Sequence, residues 1–220
     1  MSRARLITLE GGEGTGKSTQ AKLLAGTLQD AGIEVVLTRE PGGAPGAEQI
    51  RTLLVDGEPG RWDGLTETLL HFASRREHLA RTVLPALERG AWVVSDRFAD
   101  STMAYQGYGH GLDRGLIENL YGAVVGDFRP DLTIVLDMPA EQGLARAGER
   151  EAGATRYERM GLDFHRRLRD GFLEIARGDG ARCAVIDAAA GIDDVHAAIM
   201  AVVRERLAPL GVKISGRGEG

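Results

Sequence analysis

The chain has 220 residues, of which 43% are hydrophobic and 27% are charged, and its formal net charge is −5 at pH 7. These values are typical of one globular domain with a buried core, and the acidic balance argues against nucleic acid as a partner. No stretch approaches the roughly 20 apolar residues that cross a bilayer, and residues 1–9 lack a signal-peptide pattern. We therefore expect a cytoplasmic protein without membrane contact, which suits the single cysteine, Cys183.

Short apolar runs alternate with stretches of helical periodicity along the chain. The apolar runs lack period-two alternation, which predicts parallel strands buried on both faces. The alternation predicts an α/β fold, a five-stranded parallel sheet flanked by helices, in one domain over residues 1–211. The predicted strands are 5–9, 33–38, 91–95, 132–136 and 182–186, and the predicted helices are 17–31, 47–55, 65–88, 112–125, 140–148, 161–178 and 193–207. We expect the polar tail 212–220 to be disordered.

Between the first predicted strand and the first predicted helix lies a glycine-rich loop. Residues 11–18 fill every fixed position of the phosphate-loop pattern G-x-x-x-x-G-K-[ST]. Backbone N–H groups and the helix N-terminus would surround phosphate oxygens, Lys17 would reach the outer phosphates, and the Ser18 hydroxyl would bind Mg²⁺. An ordinary glycine-rich turn is the alternative, which the complete motif in this context disfavours. The predicted ATP-binding residues are Gly11, Gly12, Glu13, Gly14, Thr15, Gly16, Lys17, Ser18 and Thr19.

The predicted strand 91–95 ends on a charged pair, Asp96 and Arg97. In a parallel sheet, ligands bind beyond the carboxyl ends of the strands. Asp96 would complete the Mg²⁺ site with Ser18, the nucleotide and water, although an aspartate here could simply cap the next helix. The adjoining guanidinium favours a site that holds a second phosphate. Asp137 ends another apolar run without an adjoining cation, so we interpret it as a capping residue.

In combination these motifs resemble the thymidylate kinases, a family within the phosphate-loop nucleoside monophosphate kinases, and the resemblance runs from Leu6 to about Leu207. It implies a phosphate-loop NTPase fold, ATP-dependent phosphorylation of dTMP to dTDP for dTTP synthesis, Mg²⁺ as cofactor, and a homodimer. A kinase for another nucleoside monophosphate or a deoxynucleoside, and a non-catalytic ATP-binding regulator, remain alternatives. The matching segments are EGGEGTGKST (10–19), TREPGG (38–43), FASRREH (72–78), DRF (96–98) and STMAYQG (101–107).

The resemblance also assigns the acceptor site residue by residue. Arg75 and Arg97 match the two arginines that hold the dTMP phosphate, although Arg75 could otherwise belong to a solvated helix face. Glu13 matches an acidic contact to the 3′-hydroxyl, and Tyr105 matches a tyrosine that stands where a 2′-hydroxyl would lie. The residues that match positions at the thymine base are Arg51, Thr102 and Gln106.

One acceptor position departs from the family pattern. The family places an aromatic residue, stacked on thymine, four residues before the phosphate-binding Arg75; this chain has His71 there, followed by Phe72. Either His71 or Phe72 stacks on the base, or Phe72 is simply part of the core. Glu40 and Pro41 complete the predicted dTMP-binding set, in a turn where the family often has a cis proline.

An arginine-rich stretch at 146–159 has few large apolar residues, which predicts a short mobile lid; a solvated charged loop is the alternative. Glu13 occupies a position where another branch of the family carries a catalytic arginine. Charge that develops on the transferred phosphoryl group must then be met by other arginines. We expect Arg150 and Arg156 to do so on lid closure, with Arg146 as the third candidate. The predicted catalytic residues are Lys17, Arg97, Arg150 and Arg156.

Overall fold

The computed structural model describes residues 4–58, 60–149 and 156–207 of the chain. Its five strands form one parallel sheet in the order β2-β3-β1-β4-β5, which confirms the predicted fold class. The sequence predicts each strand to within two residues at either end. The strands are β1 (Leu6–Glu10), β2 (Val35–Arg39), β3 (Trp92–Asp96), β4 (Leu132–Asp137) and β5 (Cys183–Asp187).

Helices cover the sheet on both faces. Within the described ranges the α-helices are α1 (Lys17–Asp30), α2 (Pro45–Val55), α3 (Gly64–His78), α4 (Leu84–Glu88), α5 (Ala99–Thr102), α6 (Arg114–Val124), α7 (Ala140–Gly148), α8 (Leu162–Gly178) and α9 (Ile192–Leu207). Two π-helical segments lie between them, Leu79–Val83 and Met103–Gly109. No helix in the described part of the chain is long and apolar enough to cross a membrane.

The apolar core lies on both sides of the sheet, as the apolar runs predicted for the central strands. One layer packs α1 and α9 against the sheet, and the opposite face is covered by α8 and by the helical stretch that follows α3. The prediction that all five strands are buried on both faces is wrong for the two edge strands. Leu37 in β2 is 43% exposed and Val185 in β5 is 46% exposed, because each edge strand has a neighbour on one side only.

Two helical features differ from the prediction. The predicted helix 65–88 is divided by the π-helical segment Leu79–Val83 ahead of Pro85, whose missing N–H interrupts regular helical hydrogen bonding. The segment 99–109 is helical although the sequence indicated no helix there. Its Gly109 lies so close to Phe164 that a Cβ atom would come within 2.5 Å of the ring, so this glycine permits close packing against α8.

Candidate active site

A cavity of about 480 Å³ opens at the carboxyl ends of β1, β2 and β3. Its lining combines the phosphate loop, the turn after β2, helix α3 and the segment 97–106. Two groups of predicted residues, for the triphosphate and for the acceptor, therefore share one cavity. The predicted residues that line it are Glu13, Gly14, Gly16, Lys17, Ser18, Thr19, Glu40, Pro41, Arg51, His71, Arg75, Asp96, Arg97, Thr102, Tyr105 and Gln106.

The phosphate loop curls as its glycines predict. Gly11, Gly14 and Gly16 have φ angles of 133°, 71° and 87°, a region that residues with a Cβ rarely adopt. Gly14 also lies directly against helix α7, since a Cβ atom here would come within 1.8 Å of the Gly143 carbonyl oxygen. The loop backbone and the backbone of α7 are therefore in direct contact.

The Lys17 ammonium lies inside the loop. Its Nζ donates hydrogen bonds to the Gly12 carbonyl (2.5 Å) and to Thr15 Oγ1 (3.3 Å). Burial and the nearby Arg97 guanidinium lower the pKa of Lys17 to about 8. A phosphate placed in the loop would supply the negative charge that favours the protonated amine.

Ser18 and Asp96 meet at the mouth of the loop. Ser18 lies in the first turn of α1, Asp96 ends β3, and the Ser18 hydroxyl donates a hydrogen bond to the Asp96 carboxylate. Pairing of Leu9 with Asp96 in the sheet places the end of β3 beside the start of the loop. Hydroxyl and carboxylate oxygens are hard ligands of the kind Mg²⁺ prefers, so these two residues fit the predicted metal site.

Arg97 connects the loop to the acceptor side of the cavity. Its φ of 73° is left-handed, which is uncommon for a residue other than glycine. Its Nη2 donates to Glu13 Oε1 (3.0 Å) and to the Tyr105 hydroxyl (2.8 Å), and that hydroxyl donates to Glu13 Oε1 (2.6 Å). Burial alone would raise the pKa of Glu13, but Arg97 and Lys17 hold it at about 2. Glu13 is therefore an anion at neutral pH.

Arg75 is almost completely buried and is held on two sides. Its Nε donates to Glu40 Oε2 (2.8 Å), and its Nη2 donates to Thr102 Oγ1 (2.9 Å) and to the Phe98 carbonyl (3.2 Å). Among the described residues, none hydrogen bonds to Nη1. His78 holds the other oxygen of Glu40, with Nδ1 at 3.0 Å from Oε1. The guanidinium thus has a fixed orientation and one edge left to bind an anion.

His71 and Phe72, the two stacking candidates, occupy different environments. His71 lines the cavity and its Nε2 lies 2.9 Å from the Tyr157 hydroxyl. Burial lowers the pKa of His71 to about 3, so the ring is neutral. Phe72 does not line this cavity and is 2% exposed. Its ring packs against the Arg75 guanidinium, whose Cζ lies 5.0 Å from the centroid of the Phe72 ring. The structure therefore places Phe72 in the core, as the third alternative had it.

The remaining acceptor candidates come from the turn after β2, from helix α2 and from the segment 99–109. The Glu40–Pro41 peptide bond is cis, and Arg51 Nη1 donates to the Pro41 carbonyl at 2.8 Å. Thr102 and Gln106 also line the cavity, and both lie in the helical stretch that the sequence did not predict.

The lid arginines are distributed differently from the prediction. Arg156 does not line the cavity: it is 1% exposed and donates to the Leu54 carbonyl (3.1 Å), to the Glu67 carboxylate and to the Tyr157 hydroxyl (3.1 Å). A guanidinium with these contacts is anchored inside the protein, because leaving Glu67 would strand a buried carboxylate. Arg150 lies outside the described residues.

Arg146, which the sequence ranked third, is the lid arginine that faces the cavity within the described ranges. It also donates to the carbonyls of Ala188 (3.0 Å) and Ala189 (3.1 Å). The sequence analysis missed Glu67, which pairs with Arg156, and Tyr157, whose hydroxyl forms a hydrogen bond with His71. Neither residue stands at a fixed position of a motif, so no sequence signal marked their role.

A phosphate loop and a second basic pocket that open into one cavity define a phosphate-loop kinase of the nucleoside monophosphate class. The family model described as Thymidylate kinase matches residues 9–199. Among curated proteins, a thymidylate kinase of Caulobacter vibrioides is 55% identical, covering 94% of this chain and 99% of its own length. A thymidylate kinase of Dinoroseobacter shibae is 53% identical, and the match covers 83% of this chain and 88% of that protein. The solved thymidylate kinase of Ehrlichia chaffeensis superposes with a TM-score of 0.76 at 37% identity, covering 91% of this chain and 98% of its own. The chain belongs to the thymidylate kinase family.

Proposed function

We propose that the chain transfers the γ-phosphoryl group of ATP to dTMP, forming dTDP and ADP on the way to dTTP. The observation that carries this proposal is that Lys17 and Ser18 line the same cavity as Arg75 and Arg97. The first pair belongs to a triphosphate-binding loop. The second pair offers two guanidinium groups for the phosphate of an acceptor nucleotide.

The two arginines suit the positioning of a nucleophile. The acceptor oxygen of a nucleoside monophosphate is already anionic, so it needs orientation more than it needs a general base. Arg75 Nη1 has no hydrogen-bond partner among the described residues, and Arg97 is fixed by Glu13 and Tyr105. Together they would hold the acceptor phosphate in line with the γ-phosphorus while Lys17 stabilises charge on the donor phosphates.

Ser18 and Asp96 would hold the Mg²⁺ ion together with oxygen atoms of the nucleotide and water. Their adjacent hydroxyl and carboxylate support this assignment. When bound, the ion would neutralise part of the phosphate charge.

The sugar and base of dTMP would lie against the remaining cavity lining. Glu13 and Tyr105, which form hydrogen bonds with each other and with Arg97, would lie near the sugar. At the base end, His71 is the stacking candidate because it faces the cavity and Phe72 does not. Arg51, Thr102 and Gln106 supply polar groups for the base edge.

The lid part of the proposal changes from the sequence prediction. Arg146 takes the place that we expected for Arg156, because it faces the cavity. Arg150 stays a predicted catalytic residue. The homodimer and the cytoplasmic location also remain part of the proposal and rest on family membership.

The test is ADP formation by the purified protein with Mg²⁺ and ATP, measured with and without dTMP. We expect ADP to appear only when dTMP is present, with dTDP as the second product. A panel of other nucleoside monophosphates and of deoxynucleosides serves as the matched comparison. A higher kcat/KM for another acceptor would replace dTMP, and ATP binding without turnover on any acceptor would favour the non-catalytic regulator.

A further inference from the structure

Glu67 is a buried ionisable residue that the phosphoryl-transfer steps do not use. It lies in α3 and is 1% exposed. Its Oε1 accepts a hydrogen bond from Gln106 Nε2 (2.6 Å), and its Oε2 accepts one from Arg156 Nη2. His110 Nε2 lies 3.7 Å from Oε1, and burial lowers the pKa of His110, which favours the neutral ring. The carboxylate thus joins the lid segment at Arg156 to a residue of the acceptor cavity.

The Gln106 amide has one end engaged and one end without a partner. Gln106 lines the cavity although it is fully buried from solvent. Its Nε2 is taken by Glu67, whereas no group in the described ranges hydrogen bonds to its Oε1. A carboxylate paired with a guanidinium only accepts hydrogen bonds, so the NH₂ end of the amide must face Glu67. The buried carbonyl oxygen is the end without a hydrogen-bond partner in the described ranges.

This orientation would favour a base that offers an N–H group to the Gln106 oxygen. A buried carbonyl oxygen binds an N–H group and is opposed by another acceptor. Ring nitrogen N3 carries a hydrogen in thymine and uracil, whereas in cytosine N3 is an acceptor. We propose that Glu67 is a specificity-determining positioning residue that turns the Gln106 oxygen toward the base and so selects against cytosine. The inference rests on the proposed function, since it takes the acceptor to be a nucleoside monophosphate bound in this cavity.

Arg156 acts in this arrangement as the counter-ion of Glu67. Its Nε donates to the Leu54 carbonyl and its backbone N–H donates to the Val55 carbonyl (3.4 Å), so the end of α2 holds it in place. A fixed guanidinium fixes the orientation of the Glu67 carboxylate. The lid arginine thereby contributes to base selection without touching the base.

The test compares acceptors that differ at the base edge alone. In Glu67→Gln, residue 67 can donate as well as accept, so the Gln106 amide is free to turn its NH₂ group toward the cavity. We measure kcat/KM for dUMP and dCMP and expect the preference for dUMP to fall at least about tenfold in the variant. Any contribution of Arg51 to the preference is the same in both proteins and cancels in this comparison.

Two further variants isolate the effect. Glu34→Gln changes an exposed carboxylate that pairs with Arg89 at 2.9 Å, and it should leave both activity and preference unchanged. Glu67→Gln alone leaves Arg156 buried without its carboxylate, which costs stability. The double variant Glu67→Gln/Arg156→Met removes both charges and should show the same loss of preference, with thermal unfolding as the check on folding.

A wild-type measurement keeps the inference testable if these variants fail to fold. The monophosphate of 3-methylthymidine lacks the N3 hydrogen and should bind at least about tenfold more weakly than dTMP. Equal binding of the two, or an equal loss of kcat/KM for dUMP and dCMP in the folded Glu67 variants, would overturn the role of Glu67. Absence of ADP formation by the wild type with dTMP would instead refute the proposed function.

Discussion

Glu10 provides a test of the electrostatics behind the phosphate loop. It ends β1, is fully buried, and accepts hydrogen bonds from the Phe98 N–H (2.7 Å) and from the Ser101 hydroxyl (2.5 Å). Burial, and then the Asp100 carboxylate, raise the pKa of Glu10 from 4.5 to about 8. The folded protein therefore holds a proton on this carboxyl at neutral pH.

The magnitude follows from proton linkage. Between pH 4.5 and about 8 the folded state binds this proton and the unfolded state does not. The stability that the proton contributes is therefore fully present below pH 4.5 and is lost as the pH rises to about 8. At about 1.4 kcal/mol per pKa unit the upper bound is about 5 kcal/mol. Structural relaxation around a buried charge lowers this bound, and we expect about 2 kcal/mol.

Glu10→Gln removes the titration without changing the size of the side chain. Urea unfolding at pH 5, 6.5 and 8 gives the free energy of unfolding of both proteins. From pH 5 to pH 8 the free energy of unfolding of the variant should rise by about 2 kcal/mol relative to that of the wild type. Glu34→Gln, which changes an exposed carboxylate, should show no such rise. A difference between Glu10→Gln and the wild type that stays constant within about 0.5 kcal/mol would refute the reasoning.

Three further predictions concern the active site. Lys17→Ala should lower kcat by roughly 10³ because it removes a cation at the donor phosphates; near-normal turnover of the folded variant would contradict the role of the loop. Tyr105→Ala should reduce the preference for dUMP over UMP, measured as the ratio of kcat/KM, and an unchanged ratio would place the sugar selection elsewhere. Arg146→Ala should slow single-turnover transfer more than tenfold, whereas Arg156→Ala should chiefly lower stability, by about 3–5 kcal/mol in urea unfolding. The reverse pattern would return the catalytic role to Arg156.

The sequence predicted the sheet because each strand is a local apolar run. An apolar run does not reveal how many neighbours its strand has, so the exposure of Leu37 and Val185 at the two edges could not be foreseen. The helical stretch 99–109 was missed for a related reason. Its glycines are typical of a loop when read locally, but Gly109 serves contact with Phe164, a residue distant in sequence.

The same distinction separates the predicted from the unpredicted parts of the site. The phosphate loop and Asp96–Arg97 are contiguous motifs, and the structure brings them to one cavity. Glu67 and Arg156 are 89 positions apart, and nothing near either residue marks the other as its partner. An arginine in a polar stretch indicates a solvated or mobile side chain, so the burial of Arg156 depended on a carboxylate that only the fold supplies.

The backbone contact between Gly14 and Gly143 couples helix α7 mechanically to the phosphate loop. Backbone packs against backbone at this contact. A Cβ atom on Gly143 would come within 2.4 Å of the Glu13 carbonyl oxygen, and one on Gly14 would come within 1.8 Å of the Gly143 carbonyl oxygen. Helix α7 therefore contacts the backbone of the phosphate loop directly. A shift of the phosphate loop would press directly on helix α7, because no side chain separates the two backbones at Gly14 and Gly143. A side chain at either Gly14 or Gly143 would force the loop and helix α7 apart.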